Sequence, residues 1–327
     1  MVTGADGFIG SHVVESLVRE GADVTALALY NAFDTHGWLD QLEPEISTEI
    51  KLVRGDVRDA HFVMRLLEGQ DICMHLAALI AIPYSYDAPQ SYVDVNVKGT
   101  LNVLEASRTH GLHRVVHTST SEVYGTAQTT PMPESHPLQG QSPYSASKIG
   151  ADMMAQAFAC SFDLPAVILR PFNTFGPRQS ERAVISSTIR QALDPKCTAI
   201  KVGDLTPKRD FTFVADTAES FLTIVVADGI TFGQAYNGGT GIAVTIGETV
   251  QLIARLAGTN KPIEEEAVRI RPEKSEVRAL LADNTKLNKA TGWQPRHSFE
   301  DGLEKTISWW QARINSSEMR KQTSYVL

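Results

Sequence analysis

Residues 2–10 read Val-Thr-Gly-Ala-Asp-Gly-Phe-Ile-Gly, a short apolar strand end that runs into three glycines. A helix-like apolar pattern follows directly. Gly4 permits a tight turn, Gly7 lets backbone N–H groups approach a phosphate, and Gly10 lets helix and strand pack closely. A strand, a glycine turn and a helix N-terminus in this order predict a site for the diphosphate of a dinucleotide. An ordinary glycine-rich turn is the alternative.

The composition fits a globular protein with a full apolar core. The 327 residues leave room for one large domain with a lobe, or for two domains. Apolar residues make up 43% and charged residues 21%, which excludes a disordered chain. A net charge of −8 argues against nucleic acid or an anionic membrane as the main partner. No apolar stretch has the length of a membrane span.

The cysteines and the chain start bear on the cellular compartment. The three cysteines are scattered and provide no metal or disulfide framework. No secretory leader is visible, so we expect a cytoplasmic protein. The first strand has few residues before Val2, and we expect the natural chain to begin earlier.

Strand-like apolar runs alternate with helical patterns along the first half of the chain. This repetition predicts an α/β fold with a doubly wound parallel sheet of the Rossmann type, whose ligands bind at the carboxyl ends of the strands. The expected strands are residues 24–29, 50–53, 72–76, 114–118 and 166–169, and the expected helices are 11–20, 63–68, 92–110 and 144–160.

The composition and pattern of the sequence change after Arg170, where Pro, Gly and Arg become frequent and helical patterns mix with short strand-like runs. We therefore predict a smaller mixed α/β lobe that caps the substrate. The expected division assigns residues 1–170 and about 211–238 to the dinucleotide-binding domain, about 171–210 and 239–315 to the capping lobe, and 316–327 to a tail.

Residues 144–148 read Tyr-Ser-Ala-Ser-Lys. Ser142 is a good N-cap and Pro143 a good first helical residue, so a helix is expected to begin here with Tyr144 and Lys148 on one face. A phenol titrates near pH ~10, and a neighbouring ammonium together with an oxidised nicotinamide is expected to lower the pKa of Tyr144. Tyr144 is then a base that takes a hydroxyl proton while hydride leaves for the cofactor. An ordinary surface pair is the alternative.

Residues 118–125 read Thr-Ser-Thr-Ser-Glu-Val-Tyr-Gly and follow an apolar run with strand character. They are therefore expected at the carboxyl end of a strand. The hydroxyls of Thr120 and Ser121 and the carboxylate of Glu122 can line the cleft beside Tyr144 there. A helix cap with a solvated glutamate is the alternative.

At these three clusters the sequence resembles the extended short-chain dehydrogenase/reductase family that acts on nucleotide sugars, and the resemblance covers essentially the whole chain. It implies NAD or NADP as cofactor, a nucleotide-sugar substrate and a homodimer or higher homo-oligomer. The further motifs that carry it are Asp56-Val57, His75-Leu76-Ala77-Ala78, Asn96-Val97-Lys98-Gly99-Thr100 and Arg170-Pro171-Phe172-Asn173.

The resemblance also implies a set of functional residues. Those implied to be catalytic are Thr120, Ser121, Glu122, Tyr144 and Lys148. Those implied to bind the cofactor are Gly4, Gly7, Phe8, Ile9, Gly10, Asp56, Val57, Leu76, Ala77, Ala78, Asn96, Tyr144 and Lys148. Those implied to bind the substrate are Asn173, Arg178, Arg209 and Arg271. Guanidinium groups suit phosphate oxygens, although a solvated surface charge is the alternative for any single arginine. No metal site is expected.

Within the family, a glutamate after Thr120-Ser121 is similar to 4,6-dehydratases and to UDP-glucuronate decarboxylases. Residues 136–148 and 271–277 most resemble the N-acetylglucosamine nucleotide 4,6-dehydratases of legionaminic (nonulosonic) acid biosynthesis. The implied reaction converts UDP- or GDP-N-acetylglucosamine to its 4-keto-6-deoxy product. A decarboxylase of UDP-glucuronate and a nucleotide-sugar epimerase of the same family are the alternatives. Dehydratases of dTDP-glucose have Asp in place of Ser121, so the acid for the leaving hydroxyl is not identified.

The second strand bears on the choice of cofactor. In NAD-preferring relatives an acidic residue ends this strand and binds the ribose 2′-hydroxyl. Here residues 24–31 read Val-Thr-Ala-Leu-Ala-Leu-Tyr-Asn, with no acid at the strand's end and no obvious arginine for a 2′-phosphate. We predict that the protein tolerates NADP, which titration of both cofactors tests. NADP that fails to bind where NAD binds well contradicts this prediction.

Overall fold

The computed structural model describes residues 1–315, and the tail expected at 316–327 lies outside the described residues. The strands are β1 (Val2–Thr3), β2 (Val24–Leu29), β3 (Ile50–Gly55), β4 (Ile72–His75), β5 (Arg114–Thr118), β6 (Ala166–Pro171), β7 (Asn173–Phe175), β8 (Ile200–Val202), β9 (Lys208–Phe213), β10 (Ala235–Gly238), β11 (Ala243–Thr245) and β12 (Ile263–Glu265).

Helices separate most of these strands. The α-helices are α1 (Phe8–Arg19), α2 (Pro44–Ser47), α3 (Ala60–Leu66), α4 (Ile82–Asp87), α5 (Pro89–Tyr92), α6 (Gly99–His110), α7 (Pro143–Phe162), α8 (Val184–Leu193), α9 (Val214–Val226), α10 (Ile246–Leu256), α11 (Thr285–Thr291) and α12 (Phe299–Asn315). A π-helical stretch, Val93–Lys98, joins α5 to α6, so the helix expected over 92–110 is not one regular helix. Short 3₁₀ turns cover Gly37–Gln41, Ser121–Tyr124, Ala267–Arg269 and Glu273–Ser275.

Seven strands form one parallel sheet in the order β10-β6-β5-β4-β1-β2-β3. The strand order reverses between β1 and β4, where Val2 pairs with Met74, while on its other side Val2 pairs with Ala26. Such a switch point opens a crevice at the carboxyl ends of the strands. The predicted doubly wound parallel sheet is confirmed.

Helices cover both faces of this sheet, which is why its central strands are mostly apolar and buried. On one face, Val13 and Val14 of α1 share a core cluster with Phe221 and Ile224 of α9. On the other face, α3 and α6 pack together through the cluster that includes Val63 and Val103.

The rest of the chain builds a lobe with its own core. This lobe holds a three-stranded sheet in the order β11-β9-β7 and the pair β12-β8. Helices α8, α10 and α12 pack on these strands through a cluster that includes Phe175, Phe211, Ile246 and Trp310.

The chain returns from this lobe to the main sheet more than once. Helix α9 packs on α1, and β10 pairs with β6, whereas residues 211–213 lie in β9 of the small sheet. Helix α11 was expected in the capping lobe, but Leu287 and Trp293 are buried in the core cluster of the main domain. The reason is that these two apolar side chains cover the face beneath β6 and β10.

The contact between α1 and β1 depends on two glycines. Gly4 has a φ of +66°, in the left-handed region that favours glycine. A Cβ atom on Gly10 would lie 2.1 Å from the carbonyl oxygen of Gly4 and 2.9 Å from Cα of Ala5. The helix can therefore begin directly on the turn only because Gly10 has no side chain.

We predict that Gly10→Ala lowers the free energy of unfolding by about 1–3 kcal/mol, since one methyl group must push α1 away from β1. Thermal unfolding measures this change. Gly247→Ala is the matched control, because its Cβ would lie 3.4 Å from Leu205 O inside helix α10, and it should shift stability by less than about 1 kcal/mol. Equal melting of Gly10→Ala and the unmodified protein contradicts the prediction.

Candidate active site

The glycine turn presents an open helix N-terminus at the centre of the sheet. Helix α1 begins at Phe8, Gly7 N donates to Gly4 O at 3.1 Å, and no side chain caps the helix. The first-turn N–H groups of Phe8, Ile9 and Gly10 therefore lie at the positive end of the helix dipole without a side-chain acceptor. This arrangement fits the diphosphate of NAD(P).

The segment after β4 lies against this turn. Leu76 N donates to Thr3 O at 3.1 Å, and Ala77 N donates to the Thr3 hydroxyl at 3.2 Å. A Cβ atom on Gly4 would lie 2.7 Å from Ala77 N, so the two backbones touch. Leu76, Ala77 and Ala78 are half-buried beside the turn, in the place expected for cofactor contacts.

The other residues expected to bind the cofactor have protein partners. Arg58 Nε and Nη2 donate to the Asp56 carboxylate, and these hydrogen bonds lower the pKa of Asp56. Val57 is buried beneath Gly99. The amide of Asn96 accepts from Leu79 N at 2.8 Å and donates to Leu79 O and the Ser147 hydroxyl. Asn96 therefore holds the segment after β4 against α7.

An arginine that the sequence reasoning missed lies beside the carboxyl end of β2. Arg54 of β3 pairs with Ala28 in the strand register. Its guanidinium donates to Asp34 Oδ1 at 2.5 Å and to His36 Nε2 at 2.7 Å. The register of β3 against β2 could have indicated this position, whereas the loop that brings Asp34 and His36 to it has no periodic pattern.

Tyr144, Lys148 and Thr120 meet where α7 packs on the end of β5. The predicted helix start is present, since the Ser142 hydroxyl caps Ser145 N at 3.1 Å and Pro143 is the first helical residue. The Thr120 side chain lies beside the Tyr144 phenol, and Lys148 Nζ donates to Thr118 O at 2.6 Å.

The groups of the protein raise the pKa of Tyr144, whereas the lowering predicted from the Tyr-x-x-x-Lys spacing depends on the ammonium together with an oxidised nicotinamide. Burial raises the pKa of Tyr144 above its ordinary value, and the neighbouring Glu122 carboxylate raises it further, against the opposing hydrogen bond from Thr120. Burial also lowers the pKa of Lys148 to about 8. Desolvation therefore outweighs the ammonium, and a phenolate needs another positive charge beside it.

Glu122 and Ser121 lie buried on the 3₁₀ turn that follows β5. The Thr120 hydroxyl caps this turn by accepting from Glu122 N at 3.2 Å. Arg271 Nη1 lies 3.9 Å from Glu122 Oε1, and this buried nitrogen has no hydrogen-bond partner. Glu122 on this turn thus lies beside Tyr144. Arg271 Nη1, which lacks a hydrogen-bond partner, lies next to Glu122.

Arg209 lies near the same group. Its Nη2 donates to Glu276 Oε1 at 2.9 Å and its Nη1 to Lys208 O at 3.0 Å. Burial lowers the pKa of Arg209, Arg271 lowers it further, and Glu122 opposes both. Two guanidinium groups in a buried place are a favourable site for a phosphate-bearing anion.

Two further residues were expected at the substrate, and they differ in position. Asn173 Oδ1 is buried without a hydrogen-bond partner at the start of β7. Arg178 forms a two-pronged ion pair with Glu15 of α1, with N–O distances of 2.8 and 3.0 Å. The structure therefore does not bring Arg178 together with Arg209 and Arg271, and its pair instead joins the lobe to the main domain.

The comparisons with known proteins agree with this geometry. The family model described as GDP-mannose 4,6 dehydratase matches residues 1–306. The chain belongs to this family. A dTDP-D-glucose 4,6-dehydratase of Mus musculus is 31% identical over 97% of this chain and 89% of its own length. A UDP-glucose 4-epimerase of Mycolicibacterium smegmatis is 33% identical over 95% of this chain and 98% of its own length.

A solved structure is similar over nearly the full length. DesIV, a dTDP-glucose 4,6-dehydratase from Streptomyces venezuelae with NAD and TYD bound, superposes with a TM-score of 0.87 at 28% identity. The match covers 96% of this chain and 97% of that chain. The predicted family of nucleotide-sugar dehydratases and epimerases is confirmed, and with it an NAD(P)-dependent enzyme of the dehydratase type.

Two further features of residues 1–315 concern membranes and metal ions. Over this range no helix combines the length and apolar character that crossing a bilayer requires. The same residues contain no group of three or more His, Cys, Asp or Glu side chains arranged to hold a metal ion.

Proposed function

We propose that the protein is a nucleotide-sugar 4,6-dehydratase that converts an NDP-N-acetylhexosamine, UDP- or GDP-N-acetylglucosamine, to its 4-keto-6-deoxy product. The observation that carries this proposal is the buried Glu122 carboxylate on the turn beside Tyr144. An epimerase needs the tyrosine, the lysine and a hydroxyl, whereas elimination of water also needs a base for the C5 proton.

The redox half uses α7 and the end of β5. A nicotinamide cofactor held at the glycine turn would supply the acceptor for hydride from sugar C4 and the donor of hydride to C6. Tyr144 takes the C4 hydroxyl proton, with the Thr120 hydroxyl beside its phenol. Lys148 supplies positive charge below the phenol, and the charge of the oxidised cofactor adds to it. Together they offset the burial that raises the pKa of Tyr144.

The lyase half uses the 3₁₀ turn. A ketone at C4 makes the C5 proton acidic, and Glu122 removes that proton as water leaves from C6. Ser121 is buried next to Glu122 and is a candidate to hydrogen-bond the leaving hydroxyl. The capping lobe closes over these groups, which keeps bulk water from the intermediate.

The nucleotide end of the substrate lies toward the lobe in this proposal. Arg209, Arg271 and Asn173 offer two guanidinium groups and a buried amide oxygen without a partner. A diphosphate supplies negative charge that the two guanidinium groups can bind. The assignment of an N-acetylhexosamine rests on the resemblance of residues 136–148 and 271–277. The choice between UDP and GDP is left to assay.

A UDP-glucuronate decarboxylase is the second candidate, and one observation favours it. Such an enzyme must hold the sugar carboxylate with an arginine, and Arg271 Nη1 lies 3.9 Å from Glu122. Incubation with UDP- and GDP-N-acetylglucosamine and UDP-glucuronate separates the candidates by product mass. Loss of water supports the dehydratase, loss of carbon dioxide the decarboxylase, and an unchanged mass with an altered sugar an epimerase.

We predict that Glu122→Gln stops elimination but spares hydride transfer, because the amide keeps the size of the side chain but removes the base. Elimination should slow by roughly 10²–10⁴-fold. Reduced cofactor and the 4-keto intermediate should then accumulate, which single-turnover absorbance of the nicotinamide and product mass measure.

Two variants complete this experiment. Tyr144→Phe should block both halves, because no ketone forms to acidify C5. Glu248→Gln changes an exposed glutamate that caps α10, and it should keep the parent rate. Formation of the deoxy-keto sugar by Glu122→Gln at the parent rate shows that Glu122 is not the C5 base.

We also propose a homodimer or higher homo-oligomer that pairs α6 and α7 across a two-fold axis, as related enzymes do. Met153 and Met154 are exposed apolar side chains of α7. A Met153→Glu/Met154→Glu variant should sediment as a smaller species than the parent at micromolar concentration. Phe33→Glu, at an exposed apolar residue after β2, should leave the sedimentation unchanged. A monomeric parent protein contradicts the proposal.

A further inference from the structure

Three consecutive residues at the end of β5 each contact a different turn of α7. Thr118 O accepts from Lys148 Nζ at 2.6 Å, and Thr120 lies beside the Tyr144 phenol. Between them, the Ser119 hydroxyl donates to Asp152 Oδ2 at 2.8 Å. Asp152 follows Lys148 by four residues, as Lys148 follows Tyr144, so all three lie on one face of α7.

Asp152 is fully buried and gathers cations and donors from two strands. Arg170 of β6 donates to Asp152 Oδ2 through Nε at 3.1 Å and Nη2 at 2.9 Å. His117 Nε2 of β5 lies 3.2 Å from Asp152 Oδ1. Burying a carboxylate costs free energy, and these partners offset that cost for Asp152.

Arg170 extends the same network to the turn that carries Glu122. Its Nη1 donates to the Tyr124 hydroxyl at 2.8 Å, and Tyr124 donates to Asn237 Oδ1 at 2.7 Å. Tyr124 is the last residue of the 3₁₀ turn Ser121–Tyr124. Asp152 is therefore linked to the hydroxyl of residue 119 on one side and, through Arg170, to the Glu122 turn on the other.

Asp152 also affects the charge state of Lys148. Burial lowers the pKa of Lys148, and Asp152 opposes that change. Burial and the charge of Lys148 also lower the pKa values of His75 and His117, which keeps both rings neutral. Arg170 is a further cation nearby, while Tyr144 and Glu122 face the cleft from α7 and the 3₁₀ turn. Asp152 thus supplies the negative charge on the buried side of Lys148.

We propose that Asp152 is a positioning residue for the redox half of the reaction. It fixes the end of β5 on α7 through Ser119, and it keeps Lys148 protonated beneath Tyr144. This inference rests on the proposed roles of Tyr144 and Lys148. It assigns to the helix a third functional position that does not touch the sugar or the nicotinamide.

The test is the pH profile of nicotinamide reduction in a single turnover with the substrate found by the mass assay. The acid limb reports loss of the Tyr144 proton, and the alkaline limb reports loss of the Lys148 proton. In Asp152→Asn both pKa values fall, because the carboxylate that raises each is gone. Both limbs should move to lower pH by about one unit. The plateau rate should also drop about tenfold.

Two variants separate charge from packing. Asp152→Glu keeps the charge, so its limbs should stay at the parent pH even if its plateau falls. Ser119→Ala keeps the charge and removes the anchor, so it should lower the plateau severalfold with both limbs unmoved. If Asp152→Asn does not fold, as circular dichroism and cofactor binding will show, these two variants still decide the inference.

The outcomes are distinct. Unmoved limbs in a folded Asp152→Asn variant, shifted limbs in Asp152→Glu, or a parent plateau in Ser119→Ala each overturn the role given to Asp152. Nicotinamide reduction that persists in Tyr144→Phe instead overturns the proposed function on which this inference rests. A shifted profile in Asp152→Asn alone, with Tyr144→Phe inactive, supports both.

Discussion

The close approach of α1 to β1 is the contact on which the rest of the architecture depends. Because Gly10 has no side chain to collide with the Gly4 carbonyl, the helix can start directly at the switch point of the sheet. The N-terminus of α1 then lies beside residues 76–78, and the cofactor position follows from these backbones. The carboxyl ends of β5 and β6 open at the same edge of the sheet, so the residues proposed for catalysis lie beside the cofactor position.

The balance of charge inside the cleft is the second constraint. Lys148, Arg209 and Arg271 are cationic groups in or near a buried place, and the carboxylates of Glu122, Glu276 and Asp152 lie among them. Cations gathered in low dielectric repel each other and are stabilised by an incoming anion. In the proposed function, the diphosphate of the substrate supplies such an anion beside Arg209 and Arg271.

Local signals accounted for much of the fold. The strands β2 and β5 have the bounds expected from their apolar runs, and α7 begins at Pro143 because Ser142 and Pro143 define a helix start. The π-helical stretch Val93–Lys98 was not expected, since its sequence continues a helical pattern. Helix α11 was placed in the wrong lobe because its destination depends on which core Leu287 and Trp293 reach.

The candidate site shows the same division. The motifs located the glycine turn, the helix with Tyr144 and the turn with Glu122, each of which depends on contiguous residues. The rise in the pKa of Tyr144 that burial causes was not predicted, because desolvation is a property of the packed molecule. The neighbours of Arg54 and the partner of Arg178 were missed for a related reason. Each pair joins residues far apart in the chain, Arg54 with Asp34 and Arg178 with Glu15.

The repeated return of the chain to the main sheet has a consequence for synthesis on the ribosome. Strand β10 and helices α9 and α11 come from chain that lies beyond the first strands of the lobe. Until they emerge, β6 is an exposed edge strand and the apolar face beneath α9 is uncovered. The dinucleotide-binding half therefore cannot finish folding while its C-terminal half is still being made. A nascent chain of this family needs protection from aggregation through most of its translation.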